Sequence, residues 1–132
     1  MGSLGSFYKG QHTGTFGDYG AISFNGNKVI TTGGGGMVLC KTLDAGKHTK
    51  HVTTTAKAPH PYEFYHDEAG FNYRMPNLNA ALGCAQMESL PAFIENKRKL
   101  ALMYADFFSN SAYQFVTEPD YAKSNYWLNA II

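Results

Sequence analysis

Charge is scarce in this sequence of 132 residues: charged side chains make up 16%, and the formal net charge is +1. With 11 basic residues against 10 acidic ones, no basic stripe is present to hold nucleic acid or an anionic membrane. Long apolar runs are missing as well, and nothing approaches the roughly 20 residues that span a bilayer. No charged-then-apolar segment resembling a secretory signal opens the chain. Cysteine is limited to Cys40 and Cys84, which sit in unrelated contexts. Both read as small buried thiols of a reduced compartment rather than as a disulfide, which points to a cytoplasmic protein.

Apolar residues, at 44%, are plentiful enough for a globular fold, and the length suits one domain with a modest core. Aromatic residues reach 14%, with nine Tyr and nine Phe, many of them in loop-like segments. The chain closes on Trp127-Leu128-Asn129-Ala130-Ile131-Ile132. Such an apolar, strand-like ending is expected of a piece of something larger.

The first twenty residues, Gly-rich and aromatic, predict an extended, turn-filled segment. Ala21 to Phe24 is a short apolar run, and Asn25-Gly26-Asn27 is a turn signal. Lys28 to Thr32 is β-branched and predicts a strand, which Gly33 to Gly36 interrupt and Met37 to Cys40 resume. Thr42 to about Val52 predicts a helix, with Thr42 as N-cap, Asp44 in the first turn and Gly46 as a weak point. Residues 54–70 form a long loop of the kind used in function or at interfaces.

From Pro76 to about Asn110 the pattern is helical. Leu78, Leu82 and Ala85 recur at helical spacing. Pro91 is expected to kink and restart the helix, with Ser89 capping the second half. Phe93, Ile94, Leu100, Ala101, Tyr104 and Phe108 form an apolar stripe. Glu95, Lys97, Arg98 and Lys99 are expected on a solvated face. The chain then predicts two short strands, Tyr113 to Val116 and Asn125 to Ile132. The order is β-rich, then α, then β, with the long helix as a connector between two lobes.

Chemistry can be sought in a few places. By itself, a lysine beside a hairpin turn is a solvated surface cation. However, Ser23 precedes Lys28 by five residues across a tight turn, so both could face one small site. Gly33 to Gly36 let backbone approach a bulky group. A hydroxyl, an amine and bare backbone amides together suit a phosphate or an aldehyde cofactor. A P-loop is excluded, because there the lysine follows the glycines. Asn72 and Arg74 precede a helix start, a position that favours anions, with Arg as a forked donor. Alternatively, Arg74 pairs with Asp67 or Glu68. The five histidines match no metal-ligand spacing, the helical pair His48 and His51 being weak evidence, so no metal is expected. No G-x-S-x-G is present.

These residues resemble a known family. Thr13 to Lys28, followed by Thr31-Thr32-Gly33-Gly34-Gly35-Gly36-Met37, is similar to the cofactor-lysine region of the DegT/StrS sugar-nucleotide aminotransferases. That group belongs to the aspartate aminotransferase superfamily and uses pyridoxal 5'-phosphate (PLP). Gly70-Phe71-Asn72-Tyr73-Arg74-Met75, with Asn79 to Gly83 and Gln86, resembles a second signature. Ser124 to Asn129 resembles a third. The blocks occur in the family's order and cover nearly the whole chain.

The resemblance implies an α/β fold, a partial PLP-transferase of fold type I. Residues 1–75 would be the C-terminal part of the large PLP-binding domain, 76–110 the connecting helix and 111–132 the beginning of the small domain. It implies that Lys28 forms the Schiff base with PLP and serves as acid and base. Ser23 would bind the cofactor phosphate, Asn72 the phosphate of the neighbouring subunit's cofactor, and Arg74 the substrate or that phosphate. A homodimer is implied, with residues 59–73 near its interface. The implied reaction moves an amino group, from glutamate as donor, to a nucleotide-linked keto-sugar for surface-polysaccharide or glycan sugar biosynthesis.

Many members carry a Glu among the glycines after the lysine, whereas this chain has Gly33 to Gly36 throughout. That version resembles the branch acting on 4-keto-6-deoxy sugars linked to UDP. The family's aspartate for the pyridine nitrogen has no equivalent in the first seventeen residues, so the chain is expected to be an internal fragment, inactive alone. The rival expectations are a non-catalytic assembly or interaction domain and a carbohydrate-binding module.

Overall fold

The computed structural model describes residues 4–132. The chain runs through β1 (Phe7–Tyr8), β2 (Gln11–His12), β3 (Tyr19–Ser23), β4 (Gly36–Cys40), α1 (Leu43–Thr53), α2 (Asn77–Phe108) and β5 (Ala122–Lys123). β1 pairs antiparallel with β2 on one side and with β5 on the other. β3 and β4 form a separate antiparallel ribbon, from Tyr19 opposite Cys40 to Ser23 opposite Gly36.

The opening segment is more ordered than its composition predicts. Lys9 and Gly10 both have positive φ, 48° and 80°. That is the geometry of a two-residue type I′ hairpin, whose twist matches that of paired strands. The segment therefore folds back on itself and receives the distant β5 along its free edge.

Lys28 to Thr32 does not form the predicted strand. Its Ile30 and Thr32 are nearly sealed from solvent, at 2% and 1% exposure. Its backbone, however, is satisfied from elsewhere. Thr31 N donates to Gln86 Oε1 at 3.2 Å, Asn79 Nδ2 donates to the Thr32 carbonyl at 2.5 Å, and Thr32 N donates to the Phe24 carbonyl at 3.0 Å. β-Branched side chains favour an extended chain, but a strand also needs a neighbouring strand, and here α2 side chains take that place.

Thr42 caps α1 as expected, its hydroxyl accepting from Ala45 N at 3.2 Å. Thr42→Ala should cost about 1 kcal/mol of stability, read as a lowered urea midpoint at unchanged slope.

α2 spans 32 residues without a break and carries Pro91 inside it. This corrects the expected restart: Ser89 lies within the helix and caps nothing. Proline removes one backbone hydrogen bond. Leu90 and Phe93, on either side of it, pack on the core of Ile22, Phe24 and Ile30, joined by Leu4, Leu39 and Met75. That packing holds the helix through the proline. Of the predicted stripe, Ala101 is buried, Phe93, Ile94 and Phe108 are half-buried, and Leu100 and Tyr104 are exposed, as are Leu78 and Leu82 nearer the start of the helix.

The two predicted terminal strands reduce to a single bridge, Phe115 with Ile131, flanked by backbone bonds between Gln114 and Ile132 and between Val116 and Ala130. What anchors this region is aromatic packing, with Phe115 stacked between Tyr104 and Tyr126. The solvated-face expectation holds for Glu95 and Lys99, a 2.7 Å exposed pair. It fails for Arg98, which turns inward to Glu118. The cysteines are also less buried than expected, Cys40 being half-buried and Cys84 exposed. Among the described residues no helix is long and apolar enough to cross a membrane.

Candidate functional site

Lys28 closes a tight turn, its N–H donating to the Asn25 carbonyl at 3.0 Å. At the base of the turn, Ser23 Oγ accepts from Asn25 N at 3.3 Å. The hydroxyl and the lysine thus share one small structural unit, built by the Ser-x-Asn-Gly-Asn-Lys spacing. The Lys28 ammonium lies over the indole of Trp127, 3.6 Å from the ring centroid. Trp127 Nε1 donates to the Asn27 carbonyl at 2.5 Å, tying a residue a hundred positions away to the same turn.

Ser23 pairs with Gly36 at the end of the ribbon. Gly36 opens onto a cavity of about 490 Å³, lined also by Gly34, Gly35, Val38, Thr53, Tyr73, Arg74, Met75, Pro76 and Asn79. The glycines are well suited to that wall. Gly35 has φ of +96°, and a Cβ on Gly36 would sit 2.5 Å from the Ile22 carbonyl oxygen. At Gly35 and Gly36 the wall is therefore bare backbone by conformational and steric necessity, whereas Gly34 has open space around it. Of the four expected site residues only Arg74 lines this cavity; Lys28, Ser23 and Asn72 do not.

Arg74 is exposed and makes no hydrogen bond or ion pair among the described residues. The acids proposed as its alternative partners are engaged elsewhere. Asp67 accepts from His51 at 2.6 Å, and Glu68 lies 3.4 Å from His48 and 3.8 Å from His51. The hydrogen bond from His51 holds the Asp67 carboxyl below its ordinary range. The ligand atoms of His51, Asp67 and Glu68 lie within 4.8 Å of one another. The imidazole–carboxylate bonds account for that grouping.

Asn72 is placed by backbone rather than by its side chain. Phe71 N donates to the Val52 carbonyl at 2.7 Å, Thr55 N to the Phe71 carbonyl at 3.0 Å, and Tyr73 N to the Thr53 carbonyl at 2.9 Å. These bonds clip residues 71–73 to the end of α1 and leave the Asn72 side chain exposed. Sequence reasoning assigned no role to Trp127, Asn79 or Gln86. Their one signal was their place in the family-like blocks, since a contact across 47 to 100 positions leaves no local pattern.

Residues 2–132 match the DegT/DnrJ/EryC1/StrS aminotransferase family. The chain is 41% identical over 130 residues to a GDP-perosamine synthase of Escherichia coli O157:H7, covering 98% of this chain and 35% of that protein. It is 29% identical over 132 residues to a UDP-4-amino-4,6-dideoxy-N-acetyl-β-L-altrosamine transaminase of Campylobacter jejuni, with 98% and 35% covered. Among solved structures, the aminotransferase TlmJ of Streptoalloteichus hindustanus superposes with a TM-score of 0.89 at 25% identity, over 97% of this chain and 35% of that one. The chain spans about a third of the length of the curated relatives it matches. Its fold is accordingly part of the PLP-transferase α/β architecture.

Proposed function

Because the chain belongs to the DegT/DnrJ/EryC1/StrS aminotransferase family, we propose that it carries the cofactor lysine, Lys28, of a PLP-dependent sugar aminotransferase. The observation that carries this reading is the turn itself, where Ser23 Oγ braces the backbone that presents Lys28. The donor set fits a phosphate-bearing aldehyde. It offers a primary amine with a hydroxyl at the base of its turn and, at the cavity that begins where Ser23 pairs with Gly36, a glycine backbone wall and an unpaired guanidinium.

Pyridoxal phosphate would supply the electron sink for moving the amino group. Lys28 Nζ would be the nucleophile that holds the cofactor, and its amine would serve as acid and base. Ser23 Oγ binds phosphate. Asn72, exposed on its clip, reaches the phosphate of the neighbouring subunit in a homodimer, and Arg74 orients an anionic group of the substrate. The substrate is a nucleotide-linked 4-keto-6-deoxy sugar and the amino donor glutamate. Both sugar relatives described above have names that place the sugar on a nucleotide, GDP in one and UDP in the other. Residues 1–75 contribute to the large domain, 76–110 connect, and 111–132 begin the small domain. The free thiols of Cys40 and Cys84 suit a reducing cytoplasm.

The test is an absorption spectrum after adding PLP, before and after borohydride reduction, followed by peptide mapping. A single reduced adduct on Lys28 is expected. Weak labelling spread over several lysines would show that this chain forms no cofactor site at Lys28, the family membership standing.

A second reading, a non-catalytic assembly domain, draws on exposed apolar side chains such as Phe64 at 82%, Phe107 at 77% and Leu128 at 69%. It predicts no preference for Lys28 in the same mapping.

A further inference from the structure

We propose that Trp127 is the resting seat of the Lys28 amine. In this arrangement its indole face holds the free ammonium, while its ring N–H pins the turn that carries the lysine. The inference rests on Lys28 being the cofactor lysine.

Three features of the structure lead to it. The Lys28 ammonium is 3.6 Å from the Trp127 ring centroid, well inside the range at which a cation is attracted to an aromatic face. Both side chains are half-buried, so water weakens that attraction less than at an open surface. The ring is also held in place from two sides. Its Nε1–H donates to the Asn27 carbonyl at 2.5 Å, next to the lysine in sequence. Its backbone N–H donates to Asn125 Oδ1 at 3.0 Å. Asn125 is itself nearly buried, at 4% exposure, and its Nδ2 donates to the Leu4 carbonyl at 2.9 Å. The indole is thus a fixed platform tied to the lysine's own turn, not a mobile surface ring.

A catalytic lysine of this kind must be free for part of each cycle and must return to the same place. A seat that attracts the charged, unbound amine does both. It keeps the amine beside its turn and competes with covalent capture of the lysine. Trp127 acts through Lys28 and is a positioning residue.

The seat can be read without cofactor. In a ¹H–¹³C correlation spectrum of the 132-residue chain, the Lys28 ε-methylene protons should lie upfield of those of the other lysines, shifted by the ring current of the indole face. Trp127→Ala should abolish that shift, and Trp127→Phe, which keeps a face but loses the N–H, should retain most of it. With PLP below saturation, borohydride-trapped label on Lys28 should rise at least about two- to five-fold in Trp127→Ala, the floor set by a fully exposed cation–π contact, and stay near the parent level in Trp127→Phe. An unshifted Lys28 methylene in the parent chain overturns the proposal, as does unchanged or reduced labelling in a folded Trp127→Ala chain. If PLP labels Lys28 in none of the three chains, the cofactor assignment fails, and the ring-current shift still decides whether the seat exists.

Discussion

Gly70→Ala is expected to lower the stability of the chain by about 3 kcal/mol, the upper range for forcing an extra group into a packed position. A Cβ at Gly70 would sit 2.3 Å from the Thr55 carbonyl carbon, 2.6 Å from Ala56 N and 2.7 Å from the Thr55 oxygen. All three are backbone atoms, so no side chain can swing aside to make room. The backbone there is already committed: Thr55 and Ala56 both have positive φ, 76° and 49°, as the chain reverses after α1. Ala56 is fully buried under the returning segment, and Asp67 N donates to its carbonyl at 3.3 Å. Relief would require moving the clip that places Asn72 and Arg74. Urea denaturation followed by circular dichroism measures the loss. A midpoint within error of the parent would show that the corner yields easily.

Arg98→Ala is expected to cost about 2 kcal/mol, between the ~0–1 kcal/mol of an exposed pair and the 3–5 kcal/mol of breaking a buried one. The intermediate value follows from the exposure of the two side chains, 30% and 22%. The pair is bidentate, at 2.9 and 2.5 Å, and Arg98 also donates to the Ser124 carbonyl at 2.6 Å. Glu118 Oε2 accepts in turn from Ser124 N. Removing Arg98 therefore releases the 118–126 segment from α2 and leaves a carboxylate short of donors.

The same pair has a pH signature. The hydrogen bond from Arg98 holds the Glu118 carboxyl below its ordinary value of 4.5. In the unfolded chain that carboxyl titrates at the ordinary value, so it binds its proton first there. The stabilisation is complete above about 4.5 and is lost as pH falls through the lower folded value. Stability measured from neutral pH downward should fall less steeply in Arg98→Ala than in the parent chain. Equal slopes would assign the acid loss to other carboxylates, Asp67 among them.

What could be read before the structure was mainly local. The cap at Thr42 rests on a hydroxyl three residues from the amide it accepts from, and the long helix on apolar periodicity. The turn at Asn25 to Lys28 rests on Asn-Gly chemistry. The errors share one cause. Lys28 to Thr32 looked like a strand because its side chains suit one, but Asn79 and Gln86 occupy the positions of a neighbouring strand. Arg98 looked solvated because it sits in a charged run, yet its partner Glu118 lies twenty residues on. Ser89 looked like a cap because proline usually ends a helix, and core packing by Leu90 and Phe93 carried the helix through.

The sequence by itself determined the family, the turn that presents Lys28 and the two principal helices, because each depends on residues close together in the chain. Only the tertiary structure decided what those residues meet. It set Trp127 over Lys28, left Arg74 unpaired beside the glycine wall, and clipped Asn72 to the end of α1. These contacts join segments from 16 to 100 residues apart. Their choice among chemically similar partners is made by packing and backbone satisfaction, for which a linear pattern carries no signal.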